Sequence, residues 1–243
     1  MTGFKIRIEG EQYFMAKRIK KKPRQQARGT NWWLIGAIIF GGIVVVFALL
    51  YLALQEPEPS TLADYCRDNP ASCIFRGSAD APVTIVEISD YGCSHCRDFN
   101  LETAGLLEDL YVTPGDVQWI NLPFALNATT LPATAAAMCA NDQGQFDEFH
   151  HRLFELQGDP AIYTSEGLSQ VAAELGLNQA TFDSCIENGV YDNVIDSNIR
   201  EASLAGVNAT PTFFINDKKL GGNYPLTAFQ SEITSALGTA NAN

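Results

Sequence analysis

The 243-residue sequence lacks the signatures of several common catalytic sites. It contains no G-x-G-x-x-G or P-loop motif for nucleotides, no G-x-S-x-G nucleophile motif and no H-E-x-x-H zinc motif. It also has no internal repeat. With 46% hydrophobic and 18% charged residues, 19 glycines and 11 prolines, its composition is that of a folded protein. Collagen-like, disordered and low-complexity chains are thereby excluded.

Positive charge is scarce outside the N-terminal region. Residues 1–55 carry nine Lys and Arg against two acids, whereas residues 56–243 carry seven against 26. The larger part therefore has a formal net charge of −19, against −12 for the whole chain. Because so acidic a body repels phosphate backbones, the sequence predicts no nucleic-acid partner.

Charge is absent altogether from Trp32–Leu54, a run of 23 residues. As a helix this run would extend roughly 34 Å, enough for a hydrocarbon core of about 30 Å. Trp32, Trp33 and Tyr51 lie at its ends, where a membrane meets water. The sequence predicts a single-pass inner-membrane anchor at 32–54, with the basic tail 1–31 in the cytoplasm and the acidic body outside. A cleaved signal peptide is the alternative, although its apolar core is typically about 7–15 residues long.

Periodicity beyond the anchor predicts an α/β fold. Val83–Ile88 is almost entirely apolar and rich in β-branched residues, which is typical of a buried central strand, and 117–122 alternates as a second strand. The stretch 97–110 between them has helical spacing, which indicates a parallel strand–helix–strand unit. A helical region at about 129–206 follows, before two further strands and a last helix. The prediction is one α/β sheet with an inserted helical subdomain.

The six cysteines carry the chemistry. On the outer side of a membrane an even number predicts disulfides, with 15 possible pairings. The segment Cys93-Ser94-His95-Cys96 follows the first strand and opens the first helix, where free backbone N–H groups and the helix dipole stabilise a thiolate. His95 adds a donor or a cation nearby. Cys93 is predicted to be the exposed thiolate with a lowered pKa, and Cys96 the buried resolving thiol.

Two other interpretations of the Cys93–Cys96 pair stay open, a zinc half-site and a purely structural disulfide. A closed zinc site needs four ligands. The other cysteines, Cys66, Cys73, Cys139 and Cys185, do not have the spacing of zinc ligands. The two adjacent histidines, His150 and His151, are predicted to lie on an exposed helix face. The sequence therefore favours redox chemistry and predicts no metal site.

Two segments resemble the DsbA-like thiol–disulfide oxidoreductases. Residues 81–99 read APVTIVEISDYGCSHCRDF, similar to the active-site strand and helix start of that family. Residues 207–216 read VNATPTFFIN, similar to its cis-proline loop. The resemblance covers about 78–237. It implies a thioredoxin-like fold with a helical insertion, in a domain at 78–240 that follows a linker and cysteine loop at 55–77.

The resemblance also implies roles for single residues. Pro211 is expected to be cis and, with Thr210, to bind an extended substrate. Glu87 is expected to relay the proton of Cys96, although a partly solvated strand residue is an equal alternative. The other four cysteines are expected to form two structural disulfides, Cys139–Cys185 and Cys66–Cys73.

The activity implied is that of an oxidase which needs no cofactor. It would donate the Cys93–Cys96 disulfide to exported proteins with free thiols, and a membrane quinone-linked oxidase, DsbB-like or vitamin K epoxide reductase-like, would reoxidise it. The sequence has Ser94 where the family commonly has proline, and Thr210 occupies a position that varies among oxidases, isomerases and reductases. An isomerase or reductase on the same fold is therefore an alternative. A membrane-tethered binding domain with an inert disulfide is another.

Overall fold

The computed structural model describes residues 29, 31–54 and 61–240, in two compact units, Met1–Glu56 and Pro57–Asn243. In the first unit, helix α1 covers Trp32–Leu54, and its side chains are described at 32–47, 49 and 50. Taken over all the described residues, no helix is both long and apolar enough to cross a membrane. The anchor at 32–54 therefore stays a prediction. Most of the basic tail and residues 55–60 of the linker lie outside the described residues.

The second unit is built on one five-stranded sheet in the order β1-β3-β2-β4-β5. The strands are β1 (Ile74–Arg76), β2 (Val83–Ile88), β3 (Val117–Asn121), β4 (Thr212–Ile215) and β5 (Lys218–Gly221). Strands β2 and β3 run parallel, with Val83 opposite Val117, and the other neighbouring pairs are antiparallel. The sequence did not predict β1, because three residues are too few for alternation to be recognised.

Helices cover both faces of the sheet and form the insertion. They are α2 (Leu62–Asp68), α3 (Ser94–Phe99), α4 (Gly105–Leu107), α5 (Leu131–Asn141), α6 (Phe146–Glu155), α7 (Ser165–Glu174), α8 (Gln179–Glu187), α9 (Asp192–Leu204) and α10 (Leu226–Ala240). Helices α5–α9 lie between β3 and β4 in the chain, which confirms the predicted helical insertion. The predicted α/β architecture, one sheet with helices, is likewise confirmed.

The crossover between β2 and β3 differs from the regular helix predicted at 97–110. After α3 the chain forms a π-helical turn at Asn100–Ala104, then α4, then a second π-helical turn at Glu108–Val112. Each π turn holds one extra residue and rotates the face that follows it. The helical spacing that predicted a helix at 97–110 includes Leu106, Leu107 and Leu110. In the structure Leu107 is buried, whereas Leu106 and Leu110 are exposed.

One face of the sheet is closed by aromatic rings. Phe99 of α3, Phe213 of β4 and Phe229 of α10 are fully buried, with ring centroids 4.4–5.4 Å apart. Burial of each ring contributes about 1.5–3 kcal/mol. Because Phe99 belongs to the same short helix as the C-x-x-C motif, this packing holds that helix against the sheet.

The remaining cysteines join elements around this core. Cys66 of α2 is bonded to Cys73, just before β1, with Cα atoms 5.5 Å apart. Cys139 of α5 is bonded to Cys185 of α8, with Cα atoms 6.0 Å apart. The second bond therefore lies wholly within the insertion. Cys93 and Cys96 are both thiols.

Candidate active site

Cys93 caps the N-terminus of α3. Its backbone N–H donates to Asp90 O (3.0 Å), and its Sγ accepts from the backbone N–H of Cys96 (3.4 Å). The Cys93 side chain is partly exposed, whereas Cys96, one turn further along the helix, is fully buried. An attacking group can therefore reach Cys93 first. Sequence reasoning placed both cysteines in these surroundings from the strand–turn–helix pattern alone.

The loop before β4 faces Cys93. The Thr210–Pro211 peptide bond is cis, and Cys93 Sγ lies 3.2 Å from the carbonyl oxygen of Thr210, to which the thiol donates when it is protonated. The Thr210 hydroxyl is buried and, among the residues described, has no hydrogen-bond partner. The structure thus brings together the C-x-x-C motif and the second motif of the sequence, 117 residues away.

The electrostatics of the two thiols differ sharply. The neighbouring Cys96 thiol, the Thr210 side chain and nearby backbone N–H groups lower the pKa of Cys93 to about 5, and partial burial opposes them. Burial raises the pKa of Cys96 well above its usual range, and the hydrogen bond to Cys93 adds to this effect. At neutral pH the reduced pair is therefore one thiolate, on Cys93, and one thiol, on Cys96.

Glu87 is the penultimate residue of β2, and it is buried at 1% exposure. Four donors converge on its carboxylate: the Ser89 hydroxyl, Asn100 Nδ2 (3.1 Å), Trp119 Nε1 (3.0 Å) and Asn121 Nδ2 (2.9 Å). The partly solvated alternative for Glu87 is therefore wrong. Asn100 also donates to the carbonyl oxygen of Cys96 (3.0 Å), so one amide joins the carboxylate to the backbone of Cys96.

Arg76 of β1 is the cation nearest to this carboxylate network. Its guanidinium lies 5.0 Å from the centre of the Trp119 ring and donates to Asn121 Oδ1 (3.1 Å). It also forms ion pairs with Glu108 and Asp147. Burial lowers the pKa of Arg76, but the negative charge of Glu87 opposes this change. The buried carboxylate is thus accompanied by a positive charge one hydrogen-bonded residue away.

The two adjacent histidines of α6 have different surroundings. His151 is exposed, as predicted, and lies 3.4 Å from Glu155. His150 is buried, and its ring nitrogens contact Tyr91 Oη (2.7 Å) and Asn100 Oδ1 (2.8 Å). The prediction of an exposed His150 is wrong because α6 packs against the π-helical turn at Asn100–Ala104 and directs that side chain toward Asn100. His95 is exposed, and no hydrogen bond of its side chain is seen in the part of the chain that is described.

Sequence reasoning missed Asp90, which organises the turn before Cys93. Its buried carboxylate accepts from the backbone N–H of Gly92 (2.8 Å), the backbone N–H of Leu126 (2.8 Å) and the Thr130 hydroxyl (2.6 Å). One side chain thus joins the turn to the start of the insertion. The Asp-x-Gly spacing after a strand, typical of an Asx turn, was the available signal.

A sequence model described as thioredoxin matches residues 69–235. The chain belongs to the thioredoxin family. Disulfide bond formation protein D of Bacillus subtilis (strain 168) is 31% identical to this thioredoxin-family chain over 158 residues, which are 58% of this chain and 67% of that protein. The crystal structure of oxidised BdbD from Bacillus subtilis matches with a TM-score of 0.61 and 24% identity, over 68% of this chain and 92% of that one. The resemblance to DsbA-like thiol–disulfide oxidoreductases is thus confirmed.

A second group of relatives has a different name. The Na(+)/H(+) antiporter NhaA 1 of Salinispora arenicola (strain CNS-205) is 33% identical over 165 residues, which are 67% of this chain and 24% of that protein. The thioredoxin-family chain therefore spans about a quarter of that relative's length, and the likeness concerns that part alone.

Proposed function

We propose that this protein is a thiol–disulfide oxidase of the cell envelope, which donates the Cys93–Cys96 disulfide to exported proteins as they fold. The observation that carries the proposal is the position of Cys93, partly exposed at the start of α3, with a pKa lowered to about 5. A cysteine whose thiolate is so stable is a good leaving group and favours the reduced enzyme. Both properties drive the transfer of a disulfide to substrate.

The transfer takes place in two exchange steps. A substrate thiolate attacks Cys93 Sγ, the Cys93–Cys96 bond breaks, and Cys96 leaves as a thiolate that takes up a proton. A second substrate thiolate then attacks the substrate sulfur of the mixed disulfide and expels the Cys93 thiolate. The substrate loses two electrons and the enzyme gains them, so that Cys93 ends as a thiolate and Cys96 as a thiol.

Glu87 is the proposed proton relay of the buried thiol. Cys96 is fully buried, so water does not reach its sulfur directly. Asn100 Nδ2 donates to both the Glu87 carboxylate and the Cys96 carbonyl oxygen, which supports a position of this carboxylate near the resolving cysteine. Reoxidation needs the same path in the opposite direction, because Cys96 must then lose its proton before it attacks.

The loop of Thr210 and Pro211 is the proposed substrate contact. Thr210 O lies beside Cys93 Sγ, and a substrate that has reacted with Cys93 must pass this loop. Proline has no N–H group, so the loop leaves backbone groups free to pair with an extended peptide. His95 is exposed beside Cys93 and is proposed to act as a donor toward the thiolate or the substrate.

The proposed setting is a membrane surface outside the cytoplasm. The uncharged run 32–54 and the basic residues before it support a single-pass anchor with the N-terminus inside. The proposed partners are exported proteins with free thiols and, for reoxidation, a DsbB-like or vitamin K epoxide reductase-like quinone-linked oxidase. An anchor would raise the effective concentration of the enzyme beside such a membrane partner.

The reduction potential of Cys93–Cys96, measured on the full chain in detergent against glutathione, tests the proposal. An oxidase requires a potential near or above about −180 mV and stoichiometric oxidation of a reduced two-cysteine peptide. The Cys93→Ser variant is the control and must leave the peptide reduced. A reduction potential close to that of thioredoxin, about −270 mV, would indicate a reductase instead. If the Cys93–Cys96 pair does not exchange with glutathione at all, the result would favour a binding domain with an inert disulfide.

A further inference from the structure

Four buried side chains form a continuous hydrogen-bonded chain behind the active-site helix. Tyr91 Oη contacts His150 Nδ1, and His150 Nε2 contacts Asn100 Oδ1. Asn100 Nδ2 in turn reaches both Glu87 Oε1 and the carbonyl oxygen of Cys96. Tyr91, Asn100 and His150 are each at most 9% exposed. Through His150, this chain connects α6 of the insertion to the residues that surround the buried thiol.

The direction of every hydrogen bond in this chain follows from its chemistry. Both contacts of Asn100 Nδ2 are oxygen acceptors, so the amide oxygen faces His150 and must accept from it. His150 therefore has its proton on Nε2, and Nδ1 accepts from the Tyr91 hydroxyl. Burial lowers the pKa of His150 well below its usual value, which keeps the ring neutral in this tautomer.

We propose that His150 is a positioning residue for thiol–disulfide exchange, which fixes the Asn100 amide and through it the Glu87 carboxylate beside Cys96. The inference rests on the proposed function and extends it to a residue outside the two active-site motifs. Without the N–H of His150, the buried Asn100 amide oxygen loses its donor, and only the two contacts of Nδ2 still hold the amide. The bridge between the Glu87 carboxylate and the Cys96 carbonyl would then be less firmly held.

The backbone around Asn100 supports this role. Asn100 begins the first π-helical turn, directly after α3. Such turns are frequent at functional sites, because they displace a side chain from the regular helical face. Here the displaced residue is the one that contacts His150, Glu87 and the backbone of Cys96 together. Packing of Phe99 alone would not require the turn.

His150 acts as a neutral group, not as a second proton acceptor. The positive charge of Arg76, from β1, and that of His151, from α6, both disfavour a proton on His150. The opposite charges nearby are the Glu87 carboxylate, which the Asn100 amide separates from His150, and the carboxylates of Glu108 and Asp147, which pair with Arg76. The orientation of the Asn100 amide is thus maintained across the working pH range.

The test measures the step in which Cys96 must lose its proton. The reduced full chain in detergent is mixed with glutathione disulfide, which Cys93 attacks to give a mixed disulfide and one glutathione thiolate. Cys96 then attacks Cys93 Sγ and releases the second glutathione, so the protein is oxidised and glutathione disulfide reduced. Acid quenching and mass spectrometry give the lifetime of the mixed disulfide between pH 5 and pH 9.

Two substitutions separate the donor from the acceptor of His150. His150→Gln keeps an N–H close to the position of Nε2, whereas His150→Asn keeps only an acceptor close to the position of Nδ1. We expect His150→Asn to lengthen the mixed-disulfide lifetime at neutral pH roughly tenfold, because a buried polar group loses one hydrogen bond. The pH profile of the rate should also move to higher pH. His150→Gln should stay within about twofold of the wild type. The control is His151→Asn on the exposed neighbour, with a wild-type lifetime expected.

Three results would overturn the inference. The first is a wild-type lifetime and pH profile in His150→Asn. The second is an equally long mixed-disulfide lifetime in both His150 variants, in proportion to their loss of thermal stability. A purely structural role of His150 predicts that pattern. The third needs no variant: nitrogen NMR of the wild-type protein must show the Nε2–H tautomer at His150, and the Nδ1–H tautomer would contradict it. If the wild-type protein forms no mixed disulfide at Cys93, the proposed function itself fails.

Discussion

Cys93 Sγ lies 3.2 Å from the carbonyl oxygen of Thr210, although the chain between them contains the whole helical insertion. The active site is therefore formed by two segments of the thioredoxin-like part. One segment precedes the helical insertion in the chain, and the other follows it. This arrangement explains why Asp90 contacts Thr130 and Tyr91 contacts His150 across the boundary between the turn and the insertion. Gln157 of the insertion likewise donates from Nε2 to the carbonyl oxygen of Cys93 (3.0 Å). Changes in the insertion should consequently affect the thiols.

The roles of the two cysteines predict opposite results in a trapping experiment. Cys96→Ala keeps the exposed thiolate and removes the resolving thiol, so mixed disulfides with substrate proteins should accumulate. Cys93→Ser should accumulate none, because the remaining thiol is buried and protonated. Non-reducing gels after acid quenching would measure both. Equal trapping by the two variants would refute the assigned roles.

The two structural disulfides should differ in their contribution to stability. Cys139–Cys185 closes a loop with a sequence separation of 46, and Cys66–Cys73 one with a separation of 7. On loop entropy alone, replacing both cysteines by Ala should cost about 4 kcal/mol in the first case and about 2.5 kcal/mol in the second. Urea unfolding of the oxidised variants measures the difference. A larger loss for the shorter loop would show that packing, not chain entropy, dominates.

Asp90→Asn should weaken the turn before Cys93. The carboxylate accepts from three donors through its two oxygens, and an amide offers only one oxygen, so a buried donor loses its acceptor. We expect a loss of about 1–3 kcal/mol in the free energy of unfolding. Asp98→Asn is the matched control, because Asp98 is partly exposed and lies 3.6 Å from Arg97 in a surface ion pair. Equal losses in the two variants would contradict the role of Asp90.

Stability of the reduced protein should depend on pH through Cys93. Its pKa is about 5 in the folded state, against about 8.5 in an unfolded chain, so the folded state binds fewer protons between these values. The thiolate therefore contributes stability above about pH 8.5, and the contribution is lost as the pH falls to about 5. Unfolding of the reduced wild type and of Cys93→Ser, compared across this window, isolates the effect. A constant difference between the two proteins would argue against a lowered pKa.

The sequence was informative where a local pattern determines the structure. The apolar run of β2, followed by a C-x-x-C motif at the start of a helix, was enough to place Cys93 at the helix N-terminus and Cys96 inside. The helical insertion followed from a long stretch with helical period and no strand pattern. The resemblance supplied the pairing of the other four cysteines, which spacing alone left open among 15 possibilities.

The failures concern residues whose surroundings come from distant parts of the chain. His150 was predicted to be exposed because α6 is amphipathic and carries two adjacent histidines, and only the packing of α6 against the π-helical turn at Asn100–Ala104 decides which one is buried. The exposure of Leu106 depends on a π turn that no periodicity rule anticipates. The burial of Glu87 required knowing that Trp119 and Asn121 of β3 present their N–H groups to it.

Titration of the Cys93 thiolate tests the central claim most directly. Absorbance of the reduced protein at 240 nm, followed from pH 3 to pH 10, should show one thiolate forming with a midpoint near pH 5, and this transition should be absent in Cys93→Ser. The reduction potential should accordingly change by about 59 mV per pH unit below the midpoint and by about 30 mV above it. A midpoint near pH 9, the value of an ordinary thiol, would contradict the account.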